Sequence, residues 1–382
     1  MKKSLSEMLS ASARALSLVF VVTFTAFAEK DAPASSKGAS VDMVFVLDTT
    51  GSMGGLIEGA KQKIWSIVNE VAAGKPSPMI RIGLVAYRDK GDQYVTRTFD
   101  LSENLDSVYE KLLSFTADGG GDGPEHVLMA LEDSIERMAW SKTVGTFKVV
   151  YLVGDSPAHK EYGDTPALEK LAQAAVRRGV VINTVQCGRQ SDTEAEWRRL
   201  ARLSEGRYLP IPQDGGMVTV ATPYDGRIAE LNSRVESTML AYGSRRREAS
   251  AMFAQAKSVS AMASAPAAAE RAIFTAGLAS AGRGASADMD LVRGTEEGKV
   301  DVAKLEKEQL PDELRNLSPE QRRQRVEQFA KEREACRGQI SELSLKRSRW
   351  LKEHQGKGRK DSFDSMLMES LKAQAAAKGI AY

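Results

Sequence analysis

Cysteine is nearly missing from this chain: 382 residues hold two, Cys187 and Cys336. Two thiols make no disulfide framework whether or not they pair, so stability has to come from a packed core. An excess of charge of either sign is missing too. The formal net charge is +2, so composition carries no nucleic-acid footprint and no such partner is expected. No internal repeat is evident. The length allows two or three domains, with enough chain for one large core.

Long apolar runs are also scarce, and the one at the start has a specific shape. Lys2 and Lys3 precede "ALSLVFVVTFTAFA", Ala15 to Ala28, which ends in Ala26-Phe27-Ala28 before Glu29. The stretch is short for a membrane-spanning helix, and its end is an A-x-A cleavage pattern. It predicts a signal peptide over 1–28 and an exported protein, periplasmic or secreted. Membrane contact is then expected only through this segment if it stays uncleaved. No Cys follows the site, so a lipid anchor is not expected.

Residues 29–40 are small and polar and read as a linker. From Asp42 the pattern alternates. Strands are predicted at 42–48, 80–88, 94–100, 147–154, 180–187 and 207–211. Helices are predicted at 54–73, 102–115, 124–138, 165–178, 192–205 and 225–241. Strands alternating with helices specify an α/β fold, a doubly wound and mostly parallel sheet. The short polar turn "DKGDQ" joins the second and third strands, so one edge strand is antiparallel. Following chain direction through these elements brings Asp48, Asp122 and Asp155 to one edge of the sheet.

The character changes after 242. Residues 243–298 are rich in Ala, Ser and Gly and read as a helical extension leading into a flexible connector. Residues 299–355 are charged and helical. In "LSPEQ", Ser318 caps, Pro319 takes the first turn and Gln321 sits where a capping-box partner belongs. Val326, Phe329, Arg333, Cys336, Ile340, Leu343, Arg347 and Trp350 follow a 3-4-3-4 spacing. That is a coiled-coil-like seam weakened by two Arg, or one amphipathic helix packed on its own domain, the preferred reading. Residues 356–382 form a tail in which "SFDSMLMESLKAQ" is compatible with a short helix.

The chemistry gathers at "VFVLDTTGSMGG", Val44 to Gly55. Val44 to Leu47 read as a strand covered on both faces, and Asp48, Thr49, Thr50 and Ser52 fall at its carboxyl end. Ligands bind at that edge in open α/β sheets. The plain alternative is a capped turn, because Asp, Thr and Ser all bond to nearby backbone. Other chemistries fit less well. An extra Thr breaks the D-T-G-S of an aspartic protease, and no second copy exists. The glycine run lacks the Lys of a P-loop. No nucleophile elbow supports a Ser52, His159, Asp155 hydrolase.

"DTTGSM" after an apolar strand, the loop "GGGDGPE" and the strand-ending "LVGDSPAH" arrive in this order over about residues 41–242. Together they resemble a von Willebrand factor type A (VWA) domain of the exported bacterial type. The resemblance implies a metal-ion-dependent adhesion site (MIDAS) built from Asp48, Thr50, Ser52 and Asp155. Asp122 stands where the family normally has Thr, in a variant glycine-rich loop. Ser52, Thr50 and Asp122 are expected as direct ligands, with Asp48 and Asp155 acting directly or through water. Such oxygen donors suit Mg²⁺ best, with Mn²⁺ or Ca²⁺ as alternatives. Arg88, Asp89, His126 and His159 are candidate rim residues. A non-enzymatic module is expected, one that holds a protein partner through the metal while the partner supplies an acidic residue. The alternatives are a metal-assisted hydrolase or phosphatase at the same edge, or a structural assembly protein with a degenerate site.

Overall fold

A computed structural model describes residues 38–382 apart from 122, 285–286 and 355–358. The expected signal segment, most of the linker and Asp122 therefore lie outside the described residues.

Six strands form one sheet: β1 (Ser40–Asp48), β2 (Met79–Tyr87), β3 (Thr96–Ser102), β4 (Phe147–Gly154), β5 (Val180–Cys187) and β6 (Tyr208–Ile211). Their order is β3-β2-β1-β4-β5-β6. Only β3 runs antiparallel, against β2, while β1 lies parallel between β2 and β4. The chain first builds outward through β2 and β3, then crosses back to the other side of β1. The topological switch point lies between β1 and β4, where a doubly wound sheet opens its ligand crevice.

Period-2 alternation divides the core into two layers. Val41, Met43, Phe45 and Leu47 of β1 point to one face with Phe147, Val149, Tyr151 and Val153 of β4. Val44 and Val46 point to the other with Val150 and Leu152. The first face is covered by α1 (Gly54–Ala72) and α2 (Leu105–Leu113). The second is covered by α3 (Val127–Glu132), α4 (Leu168–Arg177) and α5 (Ser191–Leu203). In α1, Leu56, Ile57, Ala60, Ile64, Trp65, Val68 and Val71 are buried at three- and four-residue spacings, the stripe an amphipathic helix turns to a core.

Beyond β6 come α6 (Asp225–Ser237), α7 (Arg246–Met262), α8 (Ala265–Ser280), α9 (Leu291–Glu296), α10 (Pro319–His354) and α11 (Phe363–Ala375). The stretch read as a helical extension and then a flexible connector carries α7 and α8, so its helical part runs to Ser280. Val259 of α7 and Phe274 of α8 belong to the same core as the first sheet face. Ala is the strongest helix former and lets helix axes approach closely. Ala267, Ala268, Ala269 and Ala272 are all buried.

The cap of α10 is as read: Ser318 N–H donates to Gln321 Oε1 (2.9 Å) and Gln321 N–H to Ser318 Oγ (3.3 Å). The apolar spacing of α10 is spent within the chain, against α6, α8 and α9, so this face is that of one amphipathic helix. The two Arg that spoiled a coiled-coil seam have acids to meet. Arg333 pairs with Asp290 at 2.5 Å, and Arg347 with Asp225 and Glu270 at 2.6 Å each.

The tail carries a helix, α11, over the stretch compatible with one, and docks it on the sheet. Phe363, Leu367, Met368 and Leu371 of α11 are buried against the first sheet face. Tyr151 of β4 lies with its hydroxyl 3.1 Å from Ser370 Oγ, and Phe45 and Tyr151 stack with ring centroids 5.7 Å apart. Cys187 and Cys336 are both buried free thiols.

Candidate metal site at the carboxyl edge of the sheet

β1 ends at Asp48, fully buried, and the chain turns at once. Asp48 Oδ1 accepts from the Thr50 amide (2.8 Å) and the Thr50 hydroxyl (2.7 Å). That is the capped turn the residue types allow, but it uses only one carboxylate oxygen. Asp48 Oδ2 is buried without a hydrogen-bond partner among the described residues. Leaving a buried charged acceptor unsatisfied is costly.

The glycine-rich loop is laced onto this turn. Gly51 N–H donates to Gly119 O (3.1 Å) and Asp118 N–H to Thr49 O (3.1 Å). Gly120, at φ +75°, passes so close that a β-carbon there would lie 2.9 Å from Thr50 Cβ and 3.0 Å from Glu125 Oε1. Only glycine fits both the left-handed backbone and the space. Gly154 at the end of β4 is likewise pressed against Asp48, with 3.1 Å from a virtual β-carbon to Oδ2.

Thr50 Oγ1 and Ser52 Oγ are 3.5 Å apart. Ser52 is exposed, so this hydroxyl pair reaches from the buried acid to the solvent. Asp155, half-buried after β4, accepts from Ser156 Oγ (3.0 Å) and Gln213 Nε2 (2.7 Å). Gln213 also reaches Ser52 O at 3.4 Å, so the β6–α6 loop closes one side. Asp48, Thr50, Ser52 and Asp155 thus come together as the sequence requires.

Glu125 joins them, a residue of the glycine-rich loop that the sequence pattern does not single out. It is 3% exposed, and its Oε2 has no hydrogen-bond partner among the described residues. Burial, then the charges of Asp48, Asp89, Asp92 and Asp155, push its pKa up to about 9. Burial also pushes Asp48 up to about 7. The Thr50 hydrogen bonds oppose that rise, Asp155 adds to it and Arg88 opposes it. Two buried acids that hold their protons this high gain by exchanging them for a cation.

The rim candidates fare differently. Arg88 is 2% exposed and acts as a buried tie, donating to Thr49 O (3.1 Å) and Thr116 O (2.8 Å). It cannot stand at a solvent-facing rim, because its fork is spent holding two loops together. Asp89 is also buried, taking a hydrogen bond from Tyr162 Oη at 2.9 Å, with His159 Nε2 at 3.3 Å. His126 and His159 are buried and lie against the Tyr162 ring, at 4.9 and 4.4 Å between centroids. They support the 156–163 loop from behind.

Among the described residues no group of three His, Cys, Asp or Glu side chains is placed to hold a metal alone. The set at this edge is instead mixed, with two unpartnered carboxylate oxygens, two hydroxyls and Asp155. Such a hard, all-oxygen set fits Mg²⁺, Mn²⁺ or Ca²⁺, which retain water in their shells.

The family profile described as "von Willebrand factor A domain" matches residues 42–221. Rat von Willebrand factor A domain-containing protein 7 is 44% identical over 100 residues, 26% of this chain, and the human protein is 41% identical over the same length. This chain spans 10% of the length of each. Alpha-protein kinase vwkA of Dictyostelium discoideum is 31% identical over 121 residues, covering 31% of this chain and 19% of that protein. Among solved structures, the SpRpn10 VWA domain aligns with 15% identity and a TM-score of 0.35, covering 46% of this chain and 89% of that one. Proximal thread matrix protein 1 from the mussel byssus, with a zinc-occupied MIDAS motif, aligns with 18% identity and a TM-score of 0.37, covering 46% and 43%. Residues 42–221 of this chain are a von Willebrand factor A domain.

Proposed function

We propose that this protein is a non-enzymatic binding module in which a divalent cation, Mg²⁺ by preference, sits at the carboxyl edge of the sheet and receives an acidic side chain from a protein partner. The observation that carries the reading is the pair of buried, unpartnered carboxylate oxygens, Asp48 Oδ2 and Glu125 Oε2, beside the Thr50 and Ser52 hydroxyls. Asp48, Glu125, Thr50, Ser52 and Asp155 would hold the ion, with Asp122 in the adjoining loop. Bound there, the ion supplies positive charge that neutralises the acids and presents an electrophilic position toward solvent.

The chain's own residues do the rest. Thr50 orients Asp48 by two hydrogen bonds. Gln213 fixes Asp155, and Arg88 holds the Thr49 and Thr116 backbones in register. Exposed Ser52 and the exposed glycines at 119 and 121 leave the approach open. A partner carboxylate would fix orientation there, and surrounding loops would add contact area. The reading includes export: the signal pattern over 1–28 would place the edge in a compartment where free divalent cations are plentiful.

Affinity capture from the native cell envelope, in Mg²⁺ or in chelator, tests the reading. A partner retained in Mg²⁺, lost in chelator and lost in Ser52→Ala supports it. A partner retained under all three conditions moves the contact away from this edge and refutes it. N-terminal sequencing of the mature protein checks cleavage after Ala28.

A further inference from the structure

A cavity of about 170 Å³ lies among α1, the start of α2, and α6, α7, α8 and α10, formed by elements outside the carboxyl edge. Trp65, Phe253, Phe274 and Met252 give it an apolar wall. An apolar cavity of about 150 Å³ is enough to take up benzene. A second space of about 200 Å³ shares Glu103, Leu105, Phe274, Leu278, Arg283 and Gly284 with it, so the two adjoin along α8. Arg293 and Arg337 line the first and not the second.

The charges around the first cavity are mostly settled. Asp106 and Glu236 are both taken by Arg271, at 2.6 and 2.5 Å. Asp290 is taken by Arg333. Arg293 is bound to Glu297 and Gly282 O, and Arg283 to Pro78 O and Ser77 Oγ. Exposed Glu103 stands at the part shared with the second space. Arg337 is the exception: half-buried, it makes no hydrogen bond or ion pair among the described residues. Burial, then the neighbouring Arg333 guanidinium, hold its pKa below the usual arginine value; Glu296 and Asp290 oppose that shift and Arg293 adds to it. A guanidinium that stays charged, loses water and has no acid within pairing distance among the described residues is a receptor for an anion.

We propose that this cavity binds a small organic monoanion, an acyl or aromatic carboxylate whose apolar body fills the space between Trp65, Phe253 and Phe274 and whose carboxylate pairs with Arg337. The occupant is a carboxylate with a single apolar body, because one unpaired guanidinium faces one hydrophobic wall. The site is independent of the metal edge and does not rest on the reading given for it.

Octanoate is the probe, with octan-1-ol as its neutral counterpart, titrated calorimetrically into the whole protein. Octanoate should bind saturably, one per chain, and about tenfold or more tighter than octan-1-ol. Arg337→Gln should erase that difference. Its ligand-free melting temperature should be unchanged or higher, because the substitution relieves repulsion with Arg333. Ala279→Phe fills the wall without touching a charge and should block both probes. Asp48→Asn should leave octanoate binding unaltered. Absence of saturable octanoate binding, or binding equal to wild type in the folded variants Arg337→Gln and Ala279→Phe, overturns the proposal. If one variant fails to fold, the other decides.

Discussion

Buried charge is handled in opposite ways at the two ends of this molecule. In the helical extension Arg271, Arg333 and Arg347 are buried, and each meets its acids within the chain at 2.5–2.6 Å. At the sheet edge Asp48 and Glu125 are just as deeply buried, yet Asp48 Oδ2 and Glu125 Oε2 have no partner among the described residues. Burying an ion is unfavourable in both places. The extension resolves that internally and becomes scaffold. The edge leaves its acids to keep their protons, and a buried acid held that way is an affinity for a cation.

The largest expected effect breaks the scaffold side. Arg333→Ala leaves Asp290 buried and unpaired, so denaturant unfolding should show a loss of about 3–5 kcal/mol. A loss near zero would mean that the extension's pairs are no more settled than the edge. Next comes the edge itself. A divalent cation at about 100 times its dissociation constant should add about 2.7 kcal/mol, read as a rise in melting temperature. Asp48→Asn should abolish that rise while raising the cation-free melting temperature at pH 8. Identical melts with Mg²⁺ and with chelator would make the edge a degenerate site.

A smaller effect is the pH trend of the cation-free protein. Asp48 and Glu125 keep their protons to higher pH in the fold than in the unfolded chain, with folded values near 7 and 9. At these two groups the folded state therefore binds more protons, and the stability they contribute is fully present below about pH 4. It is lost as pH rises toward 7 for Asp48 and toward 9 for Glu125. The slope is at most about 1.4 kcal/mol per pH unit for each group. Saturating cation should flatten the trend between pH 6 and 8, measured by thermal melts. The smallest effect is a control on α10: Lys331→Ala breaks an exposed pair with Glu327 at 2.6 Å and should leave the melting temperature unmoved.

The sheet was legible because its strands are uninterrupted apolar runs and its helices carry one stripe each. Six strands and their flanking helices follow from those periods. Asp48, Thr50, Ser52 and Asp155 were legible because they fall at strand ends, where chain direction alone sets their edge. Glu125 was harder. It precedes a helix, where a lone Glu ordinarily faces water, and its burial depends on Gly120 passing between it and Thr50. Arg88 misled for the converse reason: an Arg after a strand usually reaches solvent, and the two backbone carbonyls that capture it come from separate loops. The extension was least legible. Alanine-rich helices show little amphipathic contrast, and their partners lie far off in sequence.

The docking of α11 has a consequence for how the chain is made. Tyr151 waits for Ser370 across 219 residues. At synthesis rates of about 5–20 residues per second, that interval is roughly 10–40 s. Throughout it, the α11-facing patch of the sheet around Phe45 and Tyr151 lacks its cover. The nascent sheet cannot reach its final packing on the ribosome until the helix that closes it has emerged.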